Sequence, residues 1–289
     1  MPKISVIVIA RNEAGNLRRT FEQLQATLPE QSEIVVVDDG SDDGSTDFLA
    51  DAGGATRLIR ASHLGVARAR NLGAWHAQGE VLVFADAHVA MPPGWWTPLT
   101  TLLASPAVGA VAPVISDMEA PGNKGFGQRL GGPDLSTEWL PKHADEPYKV
   151  PLLPGGYMAM RRDTFEVTGG FDEGMLRWGS EDTELSLRLW LLGYELWLVP
   201  GVEVAHLFRD ELPFDIQWSW ILHNKLRLAF MHFSTSRIAS VVEALREREG
   251  FSEGLALTLE GDVFARRAEL ASRRSHNDAW FFERFETAW

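Results

Sequence analysis

The chain has 289 residues, 45% hydrophobic and 23% charged, a balance that suits a packed core and excludes a disordered or fibrous protein for most of its length. With 40 acidic against 27 basic residues the formal net charge is -13, which argues against nucleic acid or anionic lipid as partner while leaving room for a small phosphorylated ligand in a local pocket. Cysteine is absent, so disulfides, thiol nucleophiles and thiolate metal sites are excluded, and any metal must sit on Asp, Glu or His.

Met1-Pro2-Lys3 runs straight into Ile4 to Ile9, too short an apolar run for a signal peptide, and no stretch of about 20 apolar residues follows. The expected location is therefore the cytoplasm. The β-branched run Ile4 to Ile9 predicts a buried strand. Leu17, Phe21, Leu24 and Leu28 fall at helical spacing, with Pro29 closing the helix. Ile34 to Val37 predicts a second buried strand, ending at Asp38 and Asp39, and Ser45 a helix cap before Phe48 and Leu49. Arg57 to Arg60 reads as a third strand, Val66 to Ala77 as a small-residue helix stopped by Gly79, and Val81 to Ala85 as a fourth strand ending at Asp86.

This alternation predicts an α/β fold with a mostly parallel sheet covered on both faces. Ligands of such sheets bind beyond the carboxyl ends of the strands. Asn12, Asp38, Asp39, Asp86 and His88 all fall there. Residues 116–151, rich in Gly, Pro, Asp and Lys, predict a long mobile loop over that site. Tyr157 to Met160 predicts a strand after the Pro154-Gly155-Gly156 turn, and Glu181 to Leu192 a buried helix ended by Gly193. Leu196 to Val199 and Val202 to Ala205 read as two short strands around Pro200-Gly201. From Phe214 onward the chain reads as helical. The expected organisation is a nucleotide-binding and catalytic domain over residues 1–210 and a mostly helical extension over 211–289, with no internal repeat.

Four constellations could carry chemistry. In Asp38-Asp39-Gly40-Ser41, Asp39 could bind a ligand amide or hydroxyls, or merely serve the turn, with Asp38 the more structural of the two. Asp86-Ala87-His88 places a carboxylate and an imidazole on one side of an extended backbone. His206, at another strand end, completes a set that suits Mn2+ or Mg2+ with open positions for substrate oxygens, zinc not being excluded. The paired acids of Trp178-Gly179-Ser180-Glu181-Asp182 either answer the helix dipole or offer a general base. Arg68 and Arg70 could hold a phosphate or be solvated helix charge, the latter more readily for Arg68. Arg266-Arg267 and Arg273-Arg274 read as a solvated helix face. Trp218, Trp220, Trp280, Phe281, Phe282, Phe285 and Trp289 read as core or a homodimer face, or as a surface stacking on sugars or clasping a peptide.

In this order, Ser5 to Glu13, Val37 to Ser41, Ala69-Arg70-Asn71 with Gly73, Asp86-Ala87-His88, Gly169 to Glu173 and Glu181 to Leu185 resemble glycosyltransferase family 2, over about Ile4 to Arg209. The resemblance implies a GT-A-type Rossmann-like fold and a hexosyltransferase with a nucleotide-sugar donor, UDP above all. It implies that Ala10 and Glu13 line the nucleoside pocket, Arg11 binds the donor, Asp39 holds the base and Arg70 lies near base or phosphate. Gly155-Gly156 would let the backbone approach the donor sugar.

Having His88 in the last place of the metal motif, with Trp178 to Ser186 and His206-Leu207-Phe208-Arg209 later on, is similar to the polypeptide N-acetylgalactosaminyltransferases. That similarity implies Asp86, His88 and His206 as metal ligands and Arg209 at the diphosphate. Trp178 and Glu181 would meet the acceptor: a saccharide, peptide or small molecule. Asp182, where the retaining peptide transferases usually have Asn, implies inversion with Asp182 as base. The rivals are a retaining peptide transferase and a non-catalytic nucleotide-sugar-binding protein.

Overall fold

The computed structural model describes residues 3–51, 53–209, 215–287 and 289. Strand β1 (Ile4–Ala10) leads into helix α1 (Gly15–Thr27), and β2 (Glu33–Asp38) follows. In β1, Val6 and Val8 enter one core while Ile7 enters the other, so the unbroken apolar run marks a strand buried on both faces. Where a capped helix was expected after Ser45 stands a single 3-10 turn, Asp47–Leu49, with Thr46 at its start and no side-chain cap. β3 (Thr56–Arg60), α2 (Val66–His76) and β4 (Val81–Asp86) complete a parallel unit with spatial order β4-β1-β2-β3.

The second half changes hand. β5 (Val89–Ala90) and α3 (Trp96–Leu103) lead to the long strand β6 (Val108–Asp117). The predicted loop over 116–151 contains short strands: β7 (Lys124–Gly125) pairs with β6, β8 (Gln128–Leu130) with β9 (Thr137–Trp139), and β10 (Tyr148–Lys149) is the outer strand of the main sheet. Its polar composition hid them, since two- and three-residue strands show no periodicity. β11 (Tyr157–Arg161) inserts antiparallel between β4 and β6, so the sheet is mixed, with the parallel unit at one side. α4 (Arg162–Thr168) and α5 (Glu181–Leu191) cover it, and α5 is buried almost all round.

The two strands expected near Pro200-Gly201 are one, β12 (Glu195–His206), parallel to β6 with an interruption. Leu196 and Leu198 enter one core cluster, whereas Val202 and Val204 enter the other. Beyond it lie α6 (Trp218–His232), α7 (Thr235–Leu245), α8 (Phe251–Glu260), α9 (Val263–Arg273) and α10 (Asp278–Arg284). The start of the predicted helical region at Phe214 falls outside the described residues.

Two expectations for the C-terminal region are refined. Phe281 and Phe282 are buried, and Trp280, Phe285 and Trp289 pack against the same core, while Trp218 is 59% exposed. Arg267 and Arg274 are not solvated charge: they donate to the carbonyls of Phe230, Met231, His232 and Phe233, the last turn of α6, where cations are favoured. Arg266 and Arg273 do face outward, pairing with Glu269. No helix among the described residues is long and apolar enough to cross a membrane.

Candidate active site and metal centre

β1, β2 and β4 are neighbours in register, so their carboxyl ends deliver Ala10, Asp38 and Asp86 to one edge. β12 ends at the same edge because His206 pairs with Val89 of β5, two residues from Ala87. Asp86, His88 and His206 therefore meet: one ligand atom of each lies within 4.8 Å of the others. His206 Nε2 is 3.2 Å from Asp86 Oδ2, and the two imidazoles stand edge to face at 4.7 Å. Among the described residues this is the cluster of His and acidic side chains with metal-binding spacing.

The donor set fits a divalent cation. A carboxylate and two imidazoles are hard-to-borderline ligands, and His206 Nδ1 is buried with no hydrogen-bond partner. Gly156 lies beneath: a Cβ there would come within 2.9 Å of His206 Cδ2 and 3.4 Å of Asp86 Oδ2. Burial pushes the Asp86 carboxyl up, but the hydrogen bond to His206 and the charges of Arg70, His206 and His88 outweigh it and hold the group well below the usual carboxylate range.

The surrounding groups make defined contacts within the chain. Glu13, expected in a nucleoside pocket, faces His88 Nδ1 with both oxygens at 3.2 Å and also binds Arg209. A carboxylate on the outer nitrogen of a ligating imidazole fixes its tautomer and leaves Nε2 for the cation; this proton placement is assigned from the network. Burial raises the Glu13 carboxyl and His88 and Arg209 lower it, with a net fall. Arg209, expected at a diphosphate, lies against Glu13 and 3.2 Å from His88 Nδ1.

Asp39, expected to hold a base, accepts the N–H groups of Leu64 and Gly65 at 2.5 and 2.9 Å. Asp38 ties Ser41, Thr46 and Arg60, as a structural turn residue does. The Ala10 carbonyl accepts the Asp39 N–H, and Arg11 is half-buried beside it.

Arg70 is 2% exposed and bridges the two halves of the site. Its Nη2 reaches Asp86 Oδ1 at 3.1 Å and the Gly155 carbonyl at 2.7 Å, and its Nη1 reaches Glu181 Oε1 at 3.1 Å. Arg68, by contrast, donates to the Glu173 carbonyl at the surface. Glu181 also accepts the Gly179 N–H at 3.0 Å. Burial and the neighbouring Asp182 charge push the Glu181 carboxyl up to about 7, against the pull of Arg70.

Asp182, at the start of α5, accepts the Gly155 N–H on Oδ2 at 2.9 Å and the Thr183 N–H on Oδ1 at 2.7 Å. Gly155 is packed under it: a Cβ there would lie 3.1 Å from both Arg70 Nη1 and Asp182. Trp178 is 42% exposed at the rim, and Trp139 and Phe208 meet edge to face at 6.2 Å, also largely exposed. The Glu13–His88 pairing and the rim contact of Trp139 were not read from sequence; nothing in their local spacing announces a partner that far along the chain.

Residues 5–169 match the profile of "Glycosyl transferase family 2", more than half of the chain. The chain belongs to glycosyl transferase family 2. Residues 141–209 of this family 2 chain also match the profile described as "N-terminal domain of galactosyltransferase".

It is 34% identical over 235 residues to polypeptide N-acetylgalactosaminyltransferase 8 of Drosophila melanogaster, covering 73% of this chain and 39% of the relative. It is 33% identical over 254 residues to polypeptide N-acetylgalactosaminyltransferase 15 of Homo sapiens, covering 79% and 39%. The family 2 chain thus spans about two fifths of the length of these curated relatives. In fold it is similar to GalNAc-T7 crystallised with UDP, GalNAc and Mn2+, with a TM-score of 0.82 and 22% identity over 99% of this chain and 57% of that one. The mannosyltransferase PcManGT from Pyrobaculum calidifontis, with GDP-Man and Mn2+, gives 0.57 and 20% identity over 100% and 76%.

Proposed function

We propose that this glycosyltransferase moves a sugar from a UDP-sugar to a hydroxyl of an acceptor, a peptide in the first instance, with Mn2+ at Asp86, His88 and His206. The observation that carries the reading is the meeting of these three side chains over Gly155-Gly156, at the edge where an α/β sheet takes its ligand. UDP is favoured by the likeness to a fold neighbour holding UDP and Mn2+, and a peptide acceptor by the names of the relatives.

The cation, when bound, would supply positive charge against the departing diphosphate. Glu13 keeps His88 in the tautomer that presents Nε2. Arg70 holds Asp86 and Glu181 at a fixed separation, and Gly155-Gly156 leave room for the donor sugar beside them. Arg209, paired with Glu13 beside His88, would meet the diphosphate. Trp178 and Glu181 border the acceptor side. The catalytic unit in this reading ends near residue 210, with 211–289 as the extension, whose helices α6 and α10 contact α5.

For stereochemistry, inversion would use Asp182: its carboxylate, oriented by two backbone N–H groups, would take the acceptor's proton. Retention is favoured by a specific counter-observation, that both Asp182 oxygens are already engaged by the backbone, together with the likeness to peptide transferases. A panel of UDP-sugars with and without Mn2+, scored for hydrolysis and thermal shift, tests the activity. Metal-independent behaviour, or no response to any UDP-sugar, rejects it. Binding without turnover would instead indicate a nucleotide-sugar-binding protein. The NMR coupling of the anomeric proton in the product then separates inversion from retention.

A further inference from the structure

One helix from beyond residue 210 reaches the site from behind. Asn224, on α6, is 0% exposed and spends its whole amide on one stretch of backbone. Its Oδ1 accepts the Leu176 N–H at 2.7 Å. Its Nδ2 donates to the carbonyls of Leu176 and Gly179 at 2.8 Å each, with a longer shared contact to that of Trp178 at 3.2 Å. One residue earlier, His223 Nε2 meets the Gly174 carbonyl at 3.0 Å. Nearly one turn later, Arg227 forms a two-pronged pair with Asp172 at 2.6 and 2.9 Å. Gly174 lies so close beneath Arg227 that a Cβ there would come within 2.0 Å of Cζ. Three side chains of one helix thus grip the run from Asp172 to Gly179.

That run needs a grip. Arg177 and Ser180 are non-glycine residues in the left-handed region, with φ of 49 and 67, and Gly179 between them has φ 101. Such backbone is costly and persists where its surroundings over-determine it. On its other flank the Arg177 carbonyl accepts the Val66 N–H at 2.7 Å, so the turn is wedged between α2 and α6. It opens without a break into Glu181 and Asp182, the first residues of α5.

We propose, resting on the glycosyltransferase reading above, that Asn224 is a positioning residue of the active site: it fixes the strained 176–180 turn, and through it the placement of Trp178, Glu181 and Asp182 against the donor. Asn is suited to this task because one end accepts and the other donates, matching a backbone that offers one N–H and several carbonyls. Without it, buried backbone groups lose their partners and the turn can relax toward ordinary dihedrals. The acids at the helix start then shift, while the metal cluster, built on β4 and β12, stays in place.

The test compares Asn224→Ala with Leu226→Ala, which truncates a fully buried core side chain on the same helix. Three readouts apply: hydrogen–deuterium exchange over residues 176–184, calorimetry of UDP with Mn2+, and the turnover number for UDP-GalNAc hydrolysis well below each variant's Tm. Asn224→Ala should exchange faster over 176–180, bind UDP with Mn2+ as the wild type does, and lose about a hundredfold in turnover, the scale of a misplacement of about 1 Å. Leu226→Ala should lower Tm and keep its turnover. Wild-type exchange over 176–180, or a turnover loss no larger than that of Leu226→Ala, overturns the proposal. Asn224→Asp keeps the volume but sets a carboxylate against three carbonyls, and gives the same readings should the alanine variant not fold. If the wild type neither binds UDP with Mn2+ nor hydrolyses UDP-GalNAc, the glycosyltransferase reading fails, and the exchange measurement alone decides whether Asn224 holds the turn.

Discussion

Two clusters in this protein are built from the same three kinds of group, a carboxylate, a guanidinium and an imidazole, and serve opposite ends. Around the strand edge stand Asp86, Arg70 and His206; behind α5 stand Glu184, Arg188 and His232. In the second cluster Arg188 donates from Nε and Nη2 to Glu184, and its Nη1 and Nη2 also reach the carbonyls of Thr168 and Gly170. His232 Nε2 meets Glu184 at 2.8 Å and its Nδ1 lies 3.0 Å from Arg274 Nη2. All three side chains are at most 1% exposed. At the edge, Asp86 is 22% and His206 13% exposed, and both His206 Nδ1 and Arg70 Nε lack a partner. A saturated network specifies one packing of the chain. An acid and an imidazole partly open to solvent, beside a buried guanidinium with bonding capacity left over, are arranged to meet a group from outside the chain.

That contrast can be broken at several points. Glu184→Ala should have the largest effect, because it strands the Arg188 charge in the core: about 3–5 kcal/mol of stability by denaturant unfolding, with UDP affinity in Mn2+ retained at low temperature. A small loss there would mean the inner cluster is not a structural keystone. His206→Ala should do the reverse. Stability should hardly change, while Mn2+-dependent UDP affinity falls about a hundredfold, as calorimetry would report; unchanged affinity would remove His206 from the ligand set.

Asp182→Asn keeps the shape but leaves only one oxygen for two backbone N–H groups, so about 1–3 kcal/mol of stability should go before any chemistry is counted. Turnover lost far beyond what that stability change explains would assign Asp182 the base role.

A pH dependence separates two glutamates on one helix. Glu184 is held well below the usual range: burial raises it, but Arg188 and His232 outweigh burial. Its contribution to stability is therefore present above the unfolded value and lost as pH falls below about 4. Glu181 sits at about 7, against 4.5 for a free glutamate, so its folded form binds the proton more tightly. Its term works the other way: stability declines as pH rises from about 4.5 to about 7 and then levels off. Glu181→Gln should flatten that window in a plot of Tm against pH, and an unchanged slope would show that the raised carboxyl is not its cause.

Much of the parallel unit was legible because β-branched runs such as Ile4 to Ile9 and Ile34 to Val37 can be little else than doubly buried strands. The meeting of Asp86 and His88 with His206 was expected from strand-end placement and the family resemblance. Other features had no local signature. The short strands within 116–151 carry too few residues to show a period. Glu13 reads as one more acid after a strand, and its role against His88 depends on β4 lying next to β1. Asp39 had two open readings, a ligand-binding acid or a turn residue, and the loop at Leu64-Gly65, 25 residues away, takes both of its oxygens. Asn224 reads as an ordinary helix residue until α6 is laid against the 176–179 backbone.

The interruption in β12 has a consequence of its own. Between Val199 and Glu203 this strand advances four residues while β6 advances one, from Pro113 to Val114, so Pro200, Gly201 and Val202 are surplus to the ladder. An odd surplus reverses which side of the sheet every later residue faces. Even-numbered Leu198 and Val204 accordingly point into opposite cores, and His206 shares the parity of Val204. Deleting one of the three would aim the imidazole at the wrong layer, whereas deleting two would restore its aim with a shorter arm. The placement of His206 beside Asp86 and His88 is thus specified by arithmetic of chain length as much as by residue identity, and a one-residue indel at Pro200 to Val202 would undo it with all three side chains still present.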